Sequence, residues 1–137
     1  MKTLTHEVEI EIPFHDCDPA GIVWHGNYAR YFEVARCALL ETLHYNYDHM
    51  LESGYGWPLI DYSARFIRPL RFKQRVRVRV QIVEWEYRLK MNYLITDAYT
   101  KERLCKGSTA QVAVSRQTHE MCLMSPDILL QKLGVAT

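Results

Sequence analysis

The chain has 137 residues, which fits a single domain and is long enough to bury one hydrophobic core. Seventeen basic and sixteen acidic residues give a net charge of +1, so no global field would recruit nucleic acid or an anionic membrane. Any anion must therefore be bound by a local group of side chains.

The first predicted strand covers residues 6–13, where apolar and acidic side chains alternate. Val8, Ile10 and Ile12 share one face and the glutamates between them share the other, which is the period of a half-buried strand. Pro13 is expected to end this strand. The segment HDCDPAGIVWHGN that follows is rich in turn-forming residues and is predicted to be a loop.

A long helix is predicted over residues 28–45. Apolar side chains recur there at helical spacing and cover a wide stripe, which is typical of a helix that is mostly buried. Asn27 is expected to be its N-cap. The apolar positions are Tyr28, Tyr31, Phe32, Ala35, Ala38 and Leu39, with Val34, Leu40 and Leu43 at the margins.

Four further strands are predicted after a loop that contains glycines and a proline. The clearest is RVRVRVQIVEW, whose valines and Ile82 face one side while its arginines and Gln81 face the other. Turns are predicted near Glu86 and Thr100, which makes the last three of these strands an antiparallel meander. The predicted strands cover residues 59–67, 75–85, 88–99 and 103–115.

A short C-terminal helix is predicted over residues 125–134. Ser125 is the expected N-cap, Pro126 the first helical residue, Asp127 an acidic residue of the first turn and Gly134 the end of the helix. This helix completes the predicted order of elements.

The predicted elements indicate an α+β fold. A sheet that is apolar on one face needs a cover, and the long helix is the only predicted element with enough apolar surface. We therefore predict one domain over residues 1–137, in which a five-stranded antiparallel sheet wraps around the helix. Such a thin sheet leaves edges open, which favours a homodimer or homotetramer.

The loop before the long helix resembles a known family signature. The segment DCDPAGIVWHGNYARYFEVAR is similar to the Asp-x-Asp-x-x-Gly-(Ile/Val)-Val-x-x-x-x-Tyr signature of hotdog-fold acyl-CoA thioesterases of the 4-hydroxybenzoyl-CoA thioesterase type. RFIRPLRFKQRVRV resembles the second and third strands of that family. The resemblance covers most of the chain and implies a hotdog fold that hydrolyses acyl-CoA to a free acid and coenzyme A, without a cofactor.

Thioester hydrolysis makes modest chemical demands. It needs a nucleophile or a base and a group that stabilises the oxyanion, whereas the leaving thiol, with an intrinsic pKa of about 8.5, needs little acid assistance. Unsatisfied N–H groups at a helix start point toward a developing negative charge. Residues 24–28 are in the right place for that role, so one carboxylate beside them can suffice.

The resemblance assigns the catalytic carboxylate to Asp18. This residue would either attack the thioester to give an anhydride or act as the base for a water molecule, and the resemblance does not decide between the two. Asp16 is expected to orient or cap. Without the resemblance, two aspartates before Pro19 and Gly21 equally fit a simple turn.

His25 lies close to the predicted helix start, where many acyl-CoA thioesterases also carry histidine. Its unperturbed pKa of about 6.5 suits a hydrogen bond to the thioester carbonyl or proton transfer, and a loop histidine bonded to backbone is the equal alternative. Tyr28 either lines the pocket or packs into the core. The expected substrate-binding residues are Gly21, Val23, Trp24, Gly26, Asn27 and Tyr28.

Other chemistries of this loop are disfavoured. His15, Asp16, Cys17, Asp18 and His25 include metal-ligand types, but they match no recognised ligand spacing, so no metal site is predicted. Cys17 has no activating constellation that the sequence reveals, and His15 is expected to be structural.

Coenzyme A carries three phosphates, so basic side chains are expected at the mouth of the site. The hairpin EWEYRLK is less basic than a dedicated phosphate cluster, which leaves a carrier-protein thioester open. The arginines of RVRVRV are expected on the wet face of the sheet. The phosphate-binding candidates are Arg65, Arg68, Arg71, Arg88 and Lys90.

The sequence does not indicate whether the acyl group of the substrate is short-chain, medium-chain or aromatic. A set of aromatic residues could line a tunnel or simply pack in the core and at a dimer interface. Glu33 and Glu41 on the helix are expected to be solvated or structural. The aromatic set is Trp24, Tyr45, Tyr47, Tyr55 and Trp57.

A second class of function is a non-catalytic module that binds acyl thioesters or a partner. A hotdog dehydratase would need its own histidine and acidic pair at other positions, and the sequence shows no such pattern. The four cysteines form no Cys-x-x-Cys pair, the first residues do not resemble a signal peptide, and no segment is apolar enough to span a membrane. We therefore expect a soluble, cytoplasmic protein.

Overall fold

The computed structural model describes residues 4–135 and contains three helices and seven strands in that range. Two single 3-10 turns, Phe14–Asp16 and His25–Asn27, flank the loop that precedes the first helix. The helices are α1 (Tyr28–Thr42), α2 (Tyr47–Glu52) and α3 (Asp127–Leu133). The strands are β1 (Thr5–Glu11), β2 (Tyr55–Gly56), β3 (Leu59–Phe66), β4 (Arg75–Glu84), β5 (Leu89–Asp97), β6 (Arg103–Gln111) and β7 (Val114–Ser115).

Five strands form one antiparallel sheet in the order β1-β4-β5-β6-β3. In β4, Val76, Val78 and Val80 are fully buried, while the arginines between them face solvent. Arg75 pairs with Glu9 of the neighbouring β1 at 3.0 Å. This arrangement around the long helix α1 confirms the predicted α+β architecture, and no helix within residues 4–135 is long and apolar enough to cross a membrane.

Helix α1 packs against the inner face of the sheet. Phe32, Ala35 and Leu39 are completely buried, and the Phe32 ring stacks on Tyr93 of β5 with a centroid distance of 4.5 Å. Gly107 of β6 lies directly beneath Phe32. A Cβ atom at residue 107 would lie 2.3 Å from the Phe32 ring. The helix therefore approaches the sheet as closely as it does because residue 107 has no side chain.

We expect Gly107→Ala to lower the free energy of unfolding by about 2 kcal/mol, because the added methyl group overpacks a dense core. The neighbouring obstacle is also rigid, since the Ser63 carbonyl oxygen lies 2.7 Å from the same position. Urea denaturation measures the loss. Gly56→Ala is the matched control, because nothing lies within 4 Å of a Cβ there. Equal effects of the two substitutions would contradict this account of Gly107.

The predicted end of the long helix is wrong. Helix α1 ends at Thr42 rather than at residue 45, and His44 adopts a positive φ of 56°. The chain turns there because Tyr45 is buried, with its N–H donating to the Leu40 carbonyl oxygen at 3.0 Å. The short helix α2 that follows was not predicted.

Three other boundaries also differ from the prediction. Ser125 is not the N-cap of α3, because Pro126 occupies that position with an extended ψ of 152°. The predicted strand 103–115 ends at Gln111, and Val114–Ser115 pairs with β2 in a separate two-stranded sheet. Strand β1 ends at Glu11, two residues before Pro13.

Candidate active site

The Asp18 carboxylate is held by the main chain of its own loop. Its Oδ1 accepts hydrogen bonds from the N–H groups of Ala20, at 2.8 Å, and Ile22, at 3.4 Å. The Asp18 N–H donates to the Ile22 carbonyl oxygen at 2.8 Å, and Gly21 closes the turn with a φ of 80°. Asp18 Oδ2 has no hydrogen-bond partner within residues 4–135. One carboxylate oxygen is therefore fixed and the other is free.

The loop is joined to the segment that follows β3. The N–H of Val23 donates to the Leu70 carbonyl oxygen at 2.8 Å, and Ile22 forms an isolated antiparallel bridge with Arg71. Leu70 is completely buried. These bonds fix the position of the carboxylate relative to the end of the sheet.

Asp16 is buried, whereas Asp18 lines the cleft. Its carboxylate is buried, accepts a 2.7 Å hydrogen bond from the Tyr31 hydroxyl and pairs with the guanidinium of Arg30. Burial, followed by this hydrogen bond, raises the pKa of Tyr31, so the phenol stays protonated and donates. Asp16 thus ties the loop to helix α1.

Asn27 stands at the N-cap position, but its side chain does not cap the helix. Its Nδ2 donates to the Asp16 main-chain oxygen at 2.9 Å, and its Oδ1 accepts from Arg30. The predicted N-cap position is therefore confirmed, but the side chain does not cap. It instead fastens the loop to the helix start, because the preceding 3-10 turn leaves Asn27 in a helical conformation rather than the extended one of a side-chain cap.

A cleft of about 380 Å³ opens between this loop, the start of α1 and the end of β3. Within residues 4–135 no acceptor receives the N–H of His25 or Gly26. Free N–H groups at the start of a 15-residue helix favour a negative charge. The lining residues are Asp18, Ile22, Val23, Trp24, His25, Tyr28, Phe66, Ile67, Arg68 and Pro69.

His25 is exposed in this cleft, and its imidazole makes no hydrogen bond within residues 4–135. Its ring lies 5.1 Å from the Trp24 ring and 6.5 Å from the Phe66 ring, measured between centroids. The imidazole is therefore free to contact a bound molecule.

The predicted substrate-binding residues separate into three groups. Val23, Trp24 and Tyr28 line the cleft, and Tyr28 is also part of the buried core. Gly21 and Gly26 shape the main chain beside it, whereas Asn27 bonds away from it. Sequence reasoning missed Ile22 of the loop and the opposite wall, which is formed by Phe66, Ile67 and Pro69, although RFIRPL carried the resemblance.

Cys17 lies between the two aspartates. Burial, and then the negative charges of Asp16 and Asp18, raise the pKa of its thiol. A thiol that stays protonated is a poor nucleophile. Within residues 4–135 no three His, Cys, Asp or Glu side chains are grouped so that they could hold a metal ion.

Of the predicted phosphate-binding residues, only Arg68 lines the cleft, where its Nε pairs with Glu102. Arg65 lies on the outer sheet face, opposite Lys106 in the register of β3 and β6. Arg88 and Lys90 flank the start of β5, next to Gln111, whereas the cleft end of β3 pairs with Cys105. A step of six residues along β6 separates Cys105 from Gln111 and spans about 20 Å. Arg88 and Lys90 are therefore far from the cleft of the same chain.

The remaining aromatic candidates do not form a tunnel to the cleft. Tyr45 and Trp57 are buried together, and the Trp57 indole N–H donates to the Tyr45 hydroxyl at 3.2 Å. Tyr47 accepts a 2.8 Å hydrogen bond from the buried Arg36. Trp24 is the one member of that predicted set that lines the cleft within residues 4–135.

Comparisons with known proteins agree with this architecture. The model of the Thioesterase-like superfamily matches residues 12–132. A 1,4-dihydroxy-2-naphthoyl-CoA hydrolase of Synechocystis sp. is 25% identical over 129 residues, which cover 93% of this chain and 86% of the relative. The 4-hydroxybenzoyl-CoA thioesterase of Pseudomonas sp. is 31% identical over 91 residues, which cover 61% of this chain and 60% of the relative.

A solved structure reproduces the fold. The 1,4-dihydroxy-2-naphthoyl-CoA thioesterase from Synechocystis superposes with a TM-score of 0.85 at 20% identity, over 95% of this chain and 96% of that chain. The fold, together with these relatives, defines a hotdog-fold thioester hydrolase. The chain belongs to the Thioesterase-like superfamily, as its resemblance to the 4-hydroxybenzoyl-CoA thioesterases predicted.

Proposed function

We propose that the chain hydrolyses acyl-CoA thioesters in the cleft at the start of α1, with Asp18 as nucleophile or general base. The observation that carries the proposal is that Asp18 and His25 line one cleft, and that the N–H of His25 and that of the adjacent Gly26 have no acceptor within residues 4–135. A thioester carbonyl bound there would lie between an attacking oxygen and hydrogen-bond donors.

The two routes use the same atoms differently. In the first, Asp18 Oδ2 bonds to the acyl carbon, the C–S bond breaks, and water then hydrolyses the anhydride. In the second, Asp18 takes a proton from a water molecule that attacks the acyl carbon, the C–S bond breaks, and the proton passes to the leaving thiolate. Both consume one water and release a carboxylic acid and coenzyme A. The free Oδ2 supports either route, and we propose that His25 contacts the carbonyl.

Arg68 is the side chain that we propose for the phosphates of coenzyme A. It lies at the cleft and is exposed, but it is paired with Glu102 at 2.5 Å. A phosphate would compete with this carboxylate for the guanidinium. An acyl group carried by a protein remains the second candidate substrate, because only one basic candidate reaches the cleft within one chain.

A panel of acyl thioesters tests the proposed function. Short-chain, medium-chain and aromatic acyl-CoAs are incubated with the protein and a thiol-reactive dye, alongside one acyl thioester on a carrier protein. We expect release of free thiol from at least one acyl-CoA. Binding of acyl-CoA without any thiol release would contradict hydrolysis and indicate a non-catalytic binding module instead.

We also propose that the chain forms a homodimer through β3. This strand is an edge of the sheet and pairs on one side only, with β6. An eight-residue edge with exposed apolar side chains is a ready surface for another strand. The exposed apolar residues on and just after β3 are Leu59, Ile60, Tyr62, Phe66 and Ile67.

The outer face of β3 indicates the register of this pairing. Asp61, Ser63 and Arg65 alternate along that face, with Ser63 in the middle. If two copies pair antiparallel about Ser63, Asp61 of each copy lies opposite Arg65 of the other. The strand is therefore complementary to itself in charge.

Reversing one of these charges is expected to weaken the dimer on the order of tenfold, because a two-fold interface repeats each like-charge contact. Arg65→Asp and Asp61→Arg are each compared with the double swap by sedimentation equilibrium. We expect the double swap to restore the native affinity. A double swap as weak as the single variants would contradict this register.

We propose a reducing, cytoplasmic location. The support is that Cys17, Cys37, Cys105 and Cys122 are all free thiols.

A further inference from the structure

The indole of Trp24 packs against Gly26 although much of it is open to solvent. Its main chain is fixed, because its N–H donates to the Asp16 carbonyl oxygen at 3.1 Å and its carbonyl oxygen accepts from Asn27 at 2.9 Å. The residue is nevertheless 54% exposed. The position of the exposed indole therefore depends on the residue against which it packs, which is Gly26.

Gly26 provides the space for this ring. A Cβ atom at residue 26 would lie 2.2 to 2.7 Å from three carbons of the indole. Gly26 has no positive φ, in contrast to Gly21 and Gly54, so the backbone conformation alone does not require glycine there. The indole therefore occupies the volume that a side chain at residue 26 would need.

The ring lies against the turn whose N–H groups the proposed function assigns to the oxyanion. The N–H groups of His25 and Gly26 are free, and the same indole lies 5.1 Å from the imidazole of His25. A ring over this turn limits the access of water to one side of it. Hydrogen bonds to a developing anion are stronger when water is excluded, because the local dielectric constant falls.

We propose that Trp24 is a positioning residue that shields the start of α1 from water during hydrolysis, and that Gly26 is required because it accommodates the indole. This inference rests on the proposed function, since it concerns the N–H groups assigned to the oxyanion. Neither residue takes part in a proton transfer or a covalent step.

A double-mutant cycle tests the proposal. Gly26→Ala should displace the indole, and Trp24→Ala removes it. We expect each substitution to lower kcat about tenfold with a smaller change in KM, as for a weakened oxyanion interaction. The double variant should be no slower than Trp24→Ala, because Gly26 acts only through the ring. Additive losses in the double variant would overturn the proposal.

Stability measurements separate this role from a folding defect. Alanine is a better helix former than glycine, so Gly26→Ala should not lower the unfolding midpoint. A slow variant of native stability supports the proposal. A Gly26→Ala variant as active as the native chain overturns it.

Fluorine NMR of protein labelled with fluorotryptophan observes the indole without turnover. The Trp24 resonance is assigned from its loss in Trp24→Phe, and Trp57 and Trp85 serve as internal references. We expect Gly26→Ala to shift the Trp24 resonance and leave the other two unchanged. An unchanged Trp24 resonance overturns the proposal. If the native chain hydrolyses no thioester while this resonance still shifts, the proposed function has failed rather than the contact.

Discussion

Asp18→Asn is expected to lower kcat for acyl-CoA hydrolysis at least about a hundredfold, because the amide is neither a nucleophile nor a base at neutral pH. The substitution should leave the loop intact. An asparagine carbonyl oxygen can still accept from the Ala20 N–H, which holds Asp18 Oδ1 at 2.8 Å. We expect the free energy of unfolding to change by less than about 0.5 kcal/mol, as for a substitution that keeps its contacts.

Rates are measured by thiol release and stability by urea denaturation. Asp48→Asn is the matched control, because this side chain is 75% exposed on α2 and pairs with its neighbour His49. It should hydrolyse the same substrate at the native rate. An Asp18→Asn variant that retains native turnover would remove Asp18 from the mechanism, whichever of the two routes is considered.

Asp16→Ala is expected to lower the free energy of unfolding by about 3 kcal/mol, because it removes a buried carboxylate that accepts two hydrogen bonds and leaves a buried hydroxyl without its acceptor. The partners affected are the Arg30 guanidinium and the Tyr31 hydroxyl. Activity should also fall, since Asp16 ties the loop that carries Asp18 to helix α1. Substitution of Asp16 is thus expected to lower stability, whereas substitution of Asp18 is expected to lower kcat, although only one residue separates the two aspartates.

Urea denaturation measures this loss. The dependence of the unfolding free energy on urea concentration should equal that of the native chain, so that a change in midpoint reports a change in stability. Tyr31→Phe is the graded comparison, because it deletes one hydroxyl and leaves the pair between Arg30 and Asp16 in place. Its expected cost is about 1 kcal/mol, as for one hydrogen bond. If Asp16→Ala costs no more than Tyr31→Phe, the carboxylate is not the anchor that its contacts indicate.

The periodicity of the sequence was sufficient to predict the architecture. The alternation in β4 and the apolar stripe of α1 each report directly which face is buried, so the sheet and its central helix follow. The end of α1 was missed because it depends on tertiary packing. His44 takes a left-handed conformation only because Tyr45 has to enter the core.

The candidate site was predictable where it is local in sequence. Asp18, Trp24 and His25 lie within one loop, so a single segment brings them to one cleft. The opposite wall at Phe66 depends on the pairing of β3 with β6, which the sequence does not specify residue by residue. The same register separates Arg88 from the cleft.

The two walls of the cleft come from different parts of the chain, and we propose that this separates reactivity from selectivity. The loop with Asp18 is fixed by hydrogen bonds, whereas Phe66 and Ile67 on the other wall are 50% and 43% exposed. Exchanging such exposed side chains usually costs little stability. Directed evolution of new acyl preferences should therefore begin at these two positions, where variation can reshape the groove without disturbing the reactive carboxylate.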